Sequence, residues 1–255
     1  MVIKKVFSFV FILLSMSFFC QSKSLKNNKS IPKKNPTKNP VKIIPQSNVI
    51  TFNENIPLLI PKKKNDNFGY INQKGTFVIA PDYHIAMFFA EDCNLLNSPN
   101  PKVKQYGTAQ FATVEKNDIS YRINKTGKRV YQYKAADNGR CNTEFKKQLF
   151  HAYILNGSYG IIEDAKFSDA KNPSHFRIYP KYEYVHILEG DDLSNPMIVA
   201  SHKDKFGVID VNNNIIIPFE YADIKRNYSW KLGKMFEVTK DDKNYYYIDS
   251  NNKSY

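Results

Sequence analysis

Cys93 and Cys141 are two of the three cysteines in the chain, and the third, Cys20, closes an apolar run near the N-terminus. In an exported protein such an even pair suits a disulfide. It would join two loop-like insertions, residues 91–101 and 135–143, and stabilise the fold by roughly 3–4 kcal/mol in the loop-entropy account. Two buried free thiols are the alternative. His84, His151, His175, His186 and His202 include no close pair, whereas zinc sites usually draw on one. Glu189-Gly190-Asp191-Asp192 could meet a calcium ion, but it lacks the alternating oxygen ligands of a calcium loop and reads as a solvated turn. Asp164, Asp210 and Glu220 are scattered acids that could pair in space as glycosidases require. Asp210, however, holds a turn position occupied elsewhere by Asn72, Asn124 and Asp249, and such side chains cap turns. No nucleophile elbow, phosphate-cradling loop or dinucleotide fingerprint occurs. No catalytic, cofactor-binding or metal-ligating residue is therefore assigned.

The elements that would position any site are copies of one pattern. Lys203 to Asp223 reads as a strand, a tight turn, a second strand and a Pro-aromatic exit, and an earlier copy runs from Asn67 to Ala86. Weaker copies lie between and after them. Anchored on the second apolar residue after the glycine, they fall at Ile71, Ile123, Ile162, Ile209 and Ile248, at intervals of 52, 39, 47 and 39 residues. Repetition on this scale implies supersecondary units that bury apolar faces on their neighbours. The apolar stretches are rich in aromatic and β-branched residues, with 17 Tyr and 18 Phe against one Trp, and favour strands.

Within a unit, Gly75, Gly127, Asn213 and Asn252 stand where a hairpin loop needs a left-handed residue, and Gly and Asn tolerate that best. The third copy departs, with Lys166 at that position inside an insertion over residues 165–175. Gly69, Gly160 and Gly207 follow Phe68, Tyr159 and Phe206; an aromatic followed by Gly in a strand predicts close backbone approach or a bulge. The exits Pro81-Asp82-Tyr83, Pro180-Lys181-Tyr182 and Pro218-Phe219-Glu220-Tyr221 end the second strand, because proline cannot donate to a ladder. Each tyrosine is expected to pack back across its own hairpin. The first folded strand is expected near residues 56–60, with Lys62-Lys63-Lys64 after it.

Residues 1–22 read as an export signal. Lys4 and Lys5 precede an apolar run, residues 6–19, that is 14 residues long, too short for a bilayer span. Cys20 could carry a lipid, but Phe19 stands where lipoprotein signals place a small residue, so ordinary cleavage is favoured. Residues 23–56, rich in Lys, Asn, Pro and Ser, cannot bury enough apolar area to fold and are expected to be a disordered linker. The net charge of +13 concentrates there: residues 23–64 carry +9 and residues 65–255 only +2. With no basic folded face, nucleic acid is not an expected partner.

Lys205-Phe206-Gly207-Val208-Ile209-Asp210 with Ile217-Pro218-Phe219-Glu220-Tyr221-Ala222-Asp223, and then Asn67-Phe68-Gly69-Tyr70-Ile71-Asn72 with Ile79-Ala80-Pro81-Asp82-Tyr83, resemble the WG-repeat (KWGL-type) proteins of bacteria. The family's tryptophan is Phe or Tyr in the copies that keep the pair. The resemblance implies β-rich repeats in surface or secreted proteins that bind other molecules, and supplies no catalytic residues. The expected architecture is all-β, a solenoid-like array of hairpin repeats over residues 57–255 behind the signal and linker. The expected function is non-enzymatic binding of a protein or glycan at the cell envelope or outside the cell, without cofactors. Any membrane contact would come through Cys20 or the basic tail. An envelope-glycan hydrolase and a polyanion binder acting through the tail are the rivals.

Overall fold

The computed structural model describes residues 53–141, 147–170 and 172–255; the expected export signal, Cys20 and the expected linker up to residue 52 lie outside them. The described strands form five antiparallel meanders. The first sheet is β1 (Ile60–Lys64), β2 (Asn67–Ile71) and β3 (Phe77–Tyr83); the second is β4 (Ile85–Phe89), β5 (Ala112–Lys116), β6 (Ile119–Ile123) and β7 (Arg129–Gln132). The third is β8 (Phe150–Leu155), β9 (Ser158–Glu163) and β10 (Phe176–Tyr182). The fourth is β11 (Tyr184–Ile187), β12 (Ile198–His202), β13 (Lys205–Ile209) and β14 (Ile215–Tyr221), and the fifth β15 (Asp223–Ile224), β16 (Phe236–Thr239) and β17 (Tyr246–Ile248). Three short helices interrupt them, α1 (Cys93–Leu96), α2 (Pro101–Lys104) and α3 (Ser229–Gly233). The protein is thus mostly β-hairpin repeats with little helix.

The five anchor isoleucines are all buried, each at the end of the strand that enters a hairpin turn or, in the third unit, the 3-10 turn that replaces it. After the anchor, one Asx oxygen holds the turn. Asn72 Oδ1 accepts from the N–H of Lys74 and Thr76, both at 3.0 Å, and Asp210 Oδ1 from those of Asn212 and Asn214, both at 2.8 Å. Asn124 and Asp249 repeat the arrangement. The left-handed position follows, with φ of 82° at Gly75, 84° at Gly127, 64° at Asn213 and 62° at Asn252. In the third unit the chain runs instead through 3-10 turns at Asp164–Asp169 and Pro173–His175.

The opening glycines face the bulged return strands. The register slips between Phe68–Tyr83 and Tyr70–Ile79, and a Cβ on Gly69 would lie 2.4 Å from the Ile79 carbonyl oxygen. Gly160 and Gly207 meet the Ile178 and Ile217 carbonyl oxygens in the same way, at 2.5 and 2.7 Å. Only a residue without a side chain lets the Pro-bearing strand come this close.

The exit tyrosines do not simply fold over their own hairpins. Tyr182 Oη donates to Asn213 Oδ1 at 2.6 Å, Tyr221 Oη to Asn252 Oδ1 at 2.5 Å, and Tyr83 Oη to the Gly127 carbonyl at 3.4 Å. The exits of the first, third and fourth units are therefore each fastened to the left-handed turn residue of the next. The second unit has Gln132 rather than tyrosine at the end of its exit strand, and the third has no hairpin turn to receive one.

Buried apolar clusters follow the same pattern. One joins the first and second units through Tyr70, Ile79, Val114 and Ile123; others join the third to the fourth and the fourth to the fifth. A further cluster joins the first unit to the fifth: Ile56, Ile60 and Ile71 pack with Met235, Tyr255 and Phe88 of β4. No such cluster among the described residues spans the second and third units. The packing order is second, first, fifth, fourth, third. Folding also begins earlier than residue 57, since Ile56 is buried and Gln73 bonds the main chain of Asn53. Lys62-Lys63-Lys64 lies within the first strand rather than after it.

Candidate functional site

The residues picked out by the repeat pattern shape the hairpins and, through the exit tyrosines, the seams between units. Phe68, Gly69 and Tyr83 shape the first hairpin, Gly75 turns it, and Gly127 receives Tyr83. Tyr159, Gly160 and Tyr182 do the same in the third unit, and Phe206, Gly207, Asn213 and Tyr221 in the fourth. Tyr159 and Phe206 are bridged by Tyr184, at ring separations of 6.0 and 6.1 Å, with the Arg226 guanidinium over Tyr184 and Phe206. These residues build the scaffold, and none converges on a pocket that could do chemistry.

Cys93 and Cys141 are joined as a disulfide, with Cα atoms 5.4 Å apart. It closes the base of an insertion organised by Arg122, which lies opposite Thr113 in the second sheet and is only 2% exposed. Its Nε donates to the Tyr106 carbonyl, its Nη2 to those of Ala90 and Thr108, and its Nη1 to Thr113 Oγ1, at 2.8–3.1 Å. Burial pulls its pKa below the ordinary arginine value, opposed by Tyr133 and Asp92. Where other units place tyrosine, isoleucine or valine, the second unit uses a cation to gather loop carbonyls that would otherwise be unsatisfied.

The acids read as possible ligands or catalysts each have a structural partner. Asp164 pairs with Lys147 and His151 at 2.7 and 2.8 Å, and Glu220 with Lys240 at 3.1 Å. In the acidic loop, Glu189 and Asp191 clamp Lys231 and Lys234 of the α3 region at 2.9 and 2.8 Å, while Asp192 caps its own turn. That loop is not simply a solvated turn: it is laid against Trp230, whose ring stacks on Phe236 at 4.8 Å.

A groove opens at the seam between the first and fifth units, with a volume of about 660 Å³. Lys62 and Lys63 of β1 meet Lys243, Tyr245, Tyr246 and Tyr255 across it. The seam is pinned by Lys62, whose Nζ donates to the main-chain oxygen of Tyr255 at 2.7 Å, and burial lowers its pKa. On the far side Asp241 fixes the β16–β17 turn: its Oδ1 accepts from the N–H of Lys243 and Asn244 at 3.0 and 2.8 Å, and its Oδ2 from the Asn244 amide at 2.7 Å. The Asn244 N–H and amide hold the Asp241 carboxyl well below the usual range. Lys243 is thereby displayed on a rigid loop. Tyr245 and Tyr255 are pushed up to about 12, first by burial and then by hydrogen bonds to Asp223 and Asp249. Their phenols stay neutral at any physiological pH.

Asp66 is the one side-chain carboxylate on the groove wall. A second, smaller cleft, near 380 Å³, lies between the third and fourth units, and its lining residues pair with one another as Glu163–Lys166 and Arg177–Asn212. Lys62-Lys63-Lys64 stands out in the sequence; that Lys62 and Lys63 face Tyr245 and Tyr246 across nearly the whole length of the folded region does not. Nothing in their local spacing reports that contact.

No curated protein and no solved structure matches the chain. The family model described as WG containing repeat matches residues 68–93 and 206–243, which cover the first hairpin with its exit and the heart of the fourth and fifth units. Over those two segments the chain carries repeats similar to the WG type.

Proposed function

We propose that this is an exported WG-repeat protein acting as a non-enzymatic binding module at the cell envelope or outside the cell, with the groove between the first and fifth units as its binding site. The lining of that groove carries the proposal. Three ammoniums, neutral phenols and amides can hold a polar ligand, whereas hydrolysis of a glycosidic bond asks for two carboxyl groups flanking the bond, and Asp66 is the one side-chain carboxylate on this wall. The N-terminal apolar run and lysine-rich linker support export.

Photo-crosslinking in cells producing the full chain tests this reading. A photoreactive residue in place of Tyr246 should capture a discrete envelope component, and one in place of Tyr179, exposed on the third unit, should not. Equal capture from both positions, or turnover of an envelope glycan by the purified protein, would overturn it.

A further inference from the structure

The groove lining also specifies a ligand class, an inference that rests on reading the seam as a binding site. The three lysines are in different electrostatic states. Lys62 has spent one of its three donors on the Tyr255 main chain. Lys63 faces Asp66 at 3.7 Å, but Asp66 is fully exposed, so this long ion pair is cheap to exchange. The Lys243 ammonium has no hydrogen-bond or ion-pair partner among the described residues, although its backbone is fixed by Asp241. Positive charge on the wall exceeds side-chain negative charge by two. Beside the ammoniums stand Asn65, Asn244 and Ser254, which can both donate and accept, and the rings of Tyr245 and Tyr246. Amides, hydroxyls and rings next to available cations match a ligand with many hydroxyls and at least one anionic group.

We propose that the groove binds an acidic saccharide, a sugar bearing carboxylate or phosphate groups, with the anion on Lys63 and Lys243 and the hydroxyls on the Asn65, Asn244 and Ser254 side chains. Neither lysine belongs to the buried clusters that hold the seam together, so both can be changed without unfolding the protein.

Residue-resolved NMR titration of the full chain tests the proposal. The probes are a hexose phosphate, an oligoglucuronate, inorganic phosphate and neutral maltotetraose. The acidic sugars should shift the amides of Asp66, Lys243 and Tyr246 saturably, more weakly as salt rises. The K63Q/K243Q double variant should lose at least tenfold in affinity at unchanged melting temperature. A phosphate sugar moving these amides without the glucuronate, or the reverse, identifies which anionic group is preferred and supports the proposal. Shifts confined to the lysines outside the groove, or full affinity in the double variant, would overturn it. So would maltotetraose binding as well as the acidic sugars, or phosphate alone binding as well as the hexose phosphate, though both would leave the groove a binding site. If no probe moves the groove amides, the acidic-saccharide proposal is overturned, while the binding-groove reading is decided separately by capture from position 246.

Discussion

At the scale of single residues, the fold is fastened by small polar devices used repeatedly. Tyr221 donates to Asn252 of the following unit, so Tyr221→Phe should cost about 0.5–1.5 kcal/mol, the net worth of one such bond. Urea denaturation of the two proteins would measure it; an unchanged midpoint would mean that the ring alone holds the seam. Asp210 gives a pH-dependent case. Burial pushes its carboxyl up, but the Asn214 amide and the N–H groups of Asn214 and Asn212 outweigh that, and its pKa lies below the ordinary 3.8. A carboxyl whose pKa is depressed on folding stabilises the protein above its unfolded value and loses that contribution as pH falls through the folded one. Stability should therefore decline as pH drops below about 4. Asp210→Asn, which copies what Asn72 and Asn124 do in their own turns, should flatten part of that decline. An identical acid profile in the variant would contradict the assignment. The turn residues were legible from sequence because Asx and Gly have a local reason to be there. The partner of each exit tyrosine was not, because a phenol at a strand end gives no hint whether it reaches its own hairpin or the next.

Among the elements, the hairpins were readable and the insertions were not. The repeated anchor and the Asx-x-x-Gly or Asx-x-x-Asn turn located β2–β3 and β13–β14 closely. The segment between β4 and β5 instead folds as α1, α2 and a 3-10 turn around Arg122. Its order comes from a buried cation bonding carbonyls, a long-range device without periodicity. The disulfide closes the same element from the other side. Replacing Cys93 and Cys141 with serine should lower stability by about 2–4 kcal/mol by the loop-entropy account. The loss should fall on the insertion first, seen as faster exchange of the Leu95 amide. Reaction of both cysteines with a thiol reagent in denatured, unreduced protein would show that the bond is absent.

For the whole molecule, the unit count and the β-rich class came through in the sequence, but the order in which the units pack did not. Five anchor isoleucines can be counted along a line; that the first and fifth share a core depends on Ile60, Ile71, Met235 and Phe88 meeting in space. Phe88 is only 4% exposed and packs edge-on against Tyr247 at 5.0 Å. Phe88→Ala should cost about 3–5 kcal/mol and raise hydrogen exchange in β2 and β17 together. Faster exchange in one of the two strands alone would mean that they are not a single cooperative unit.

That shared core also sets a schedule. Lys62 and Tyr255 bond across 193 positions of sequence, and contacts of such separation form late, because the chain between them must first be brought together. During synthesis β1 and β2 emerge long before the residues that cover them. Until Met235 and Tyr255 have appeared, the face of the first hairpin that bears Ile60 and Ile71 lacks its full cover and stays open to chaperones and to the unpaired edges of neighbouring chains.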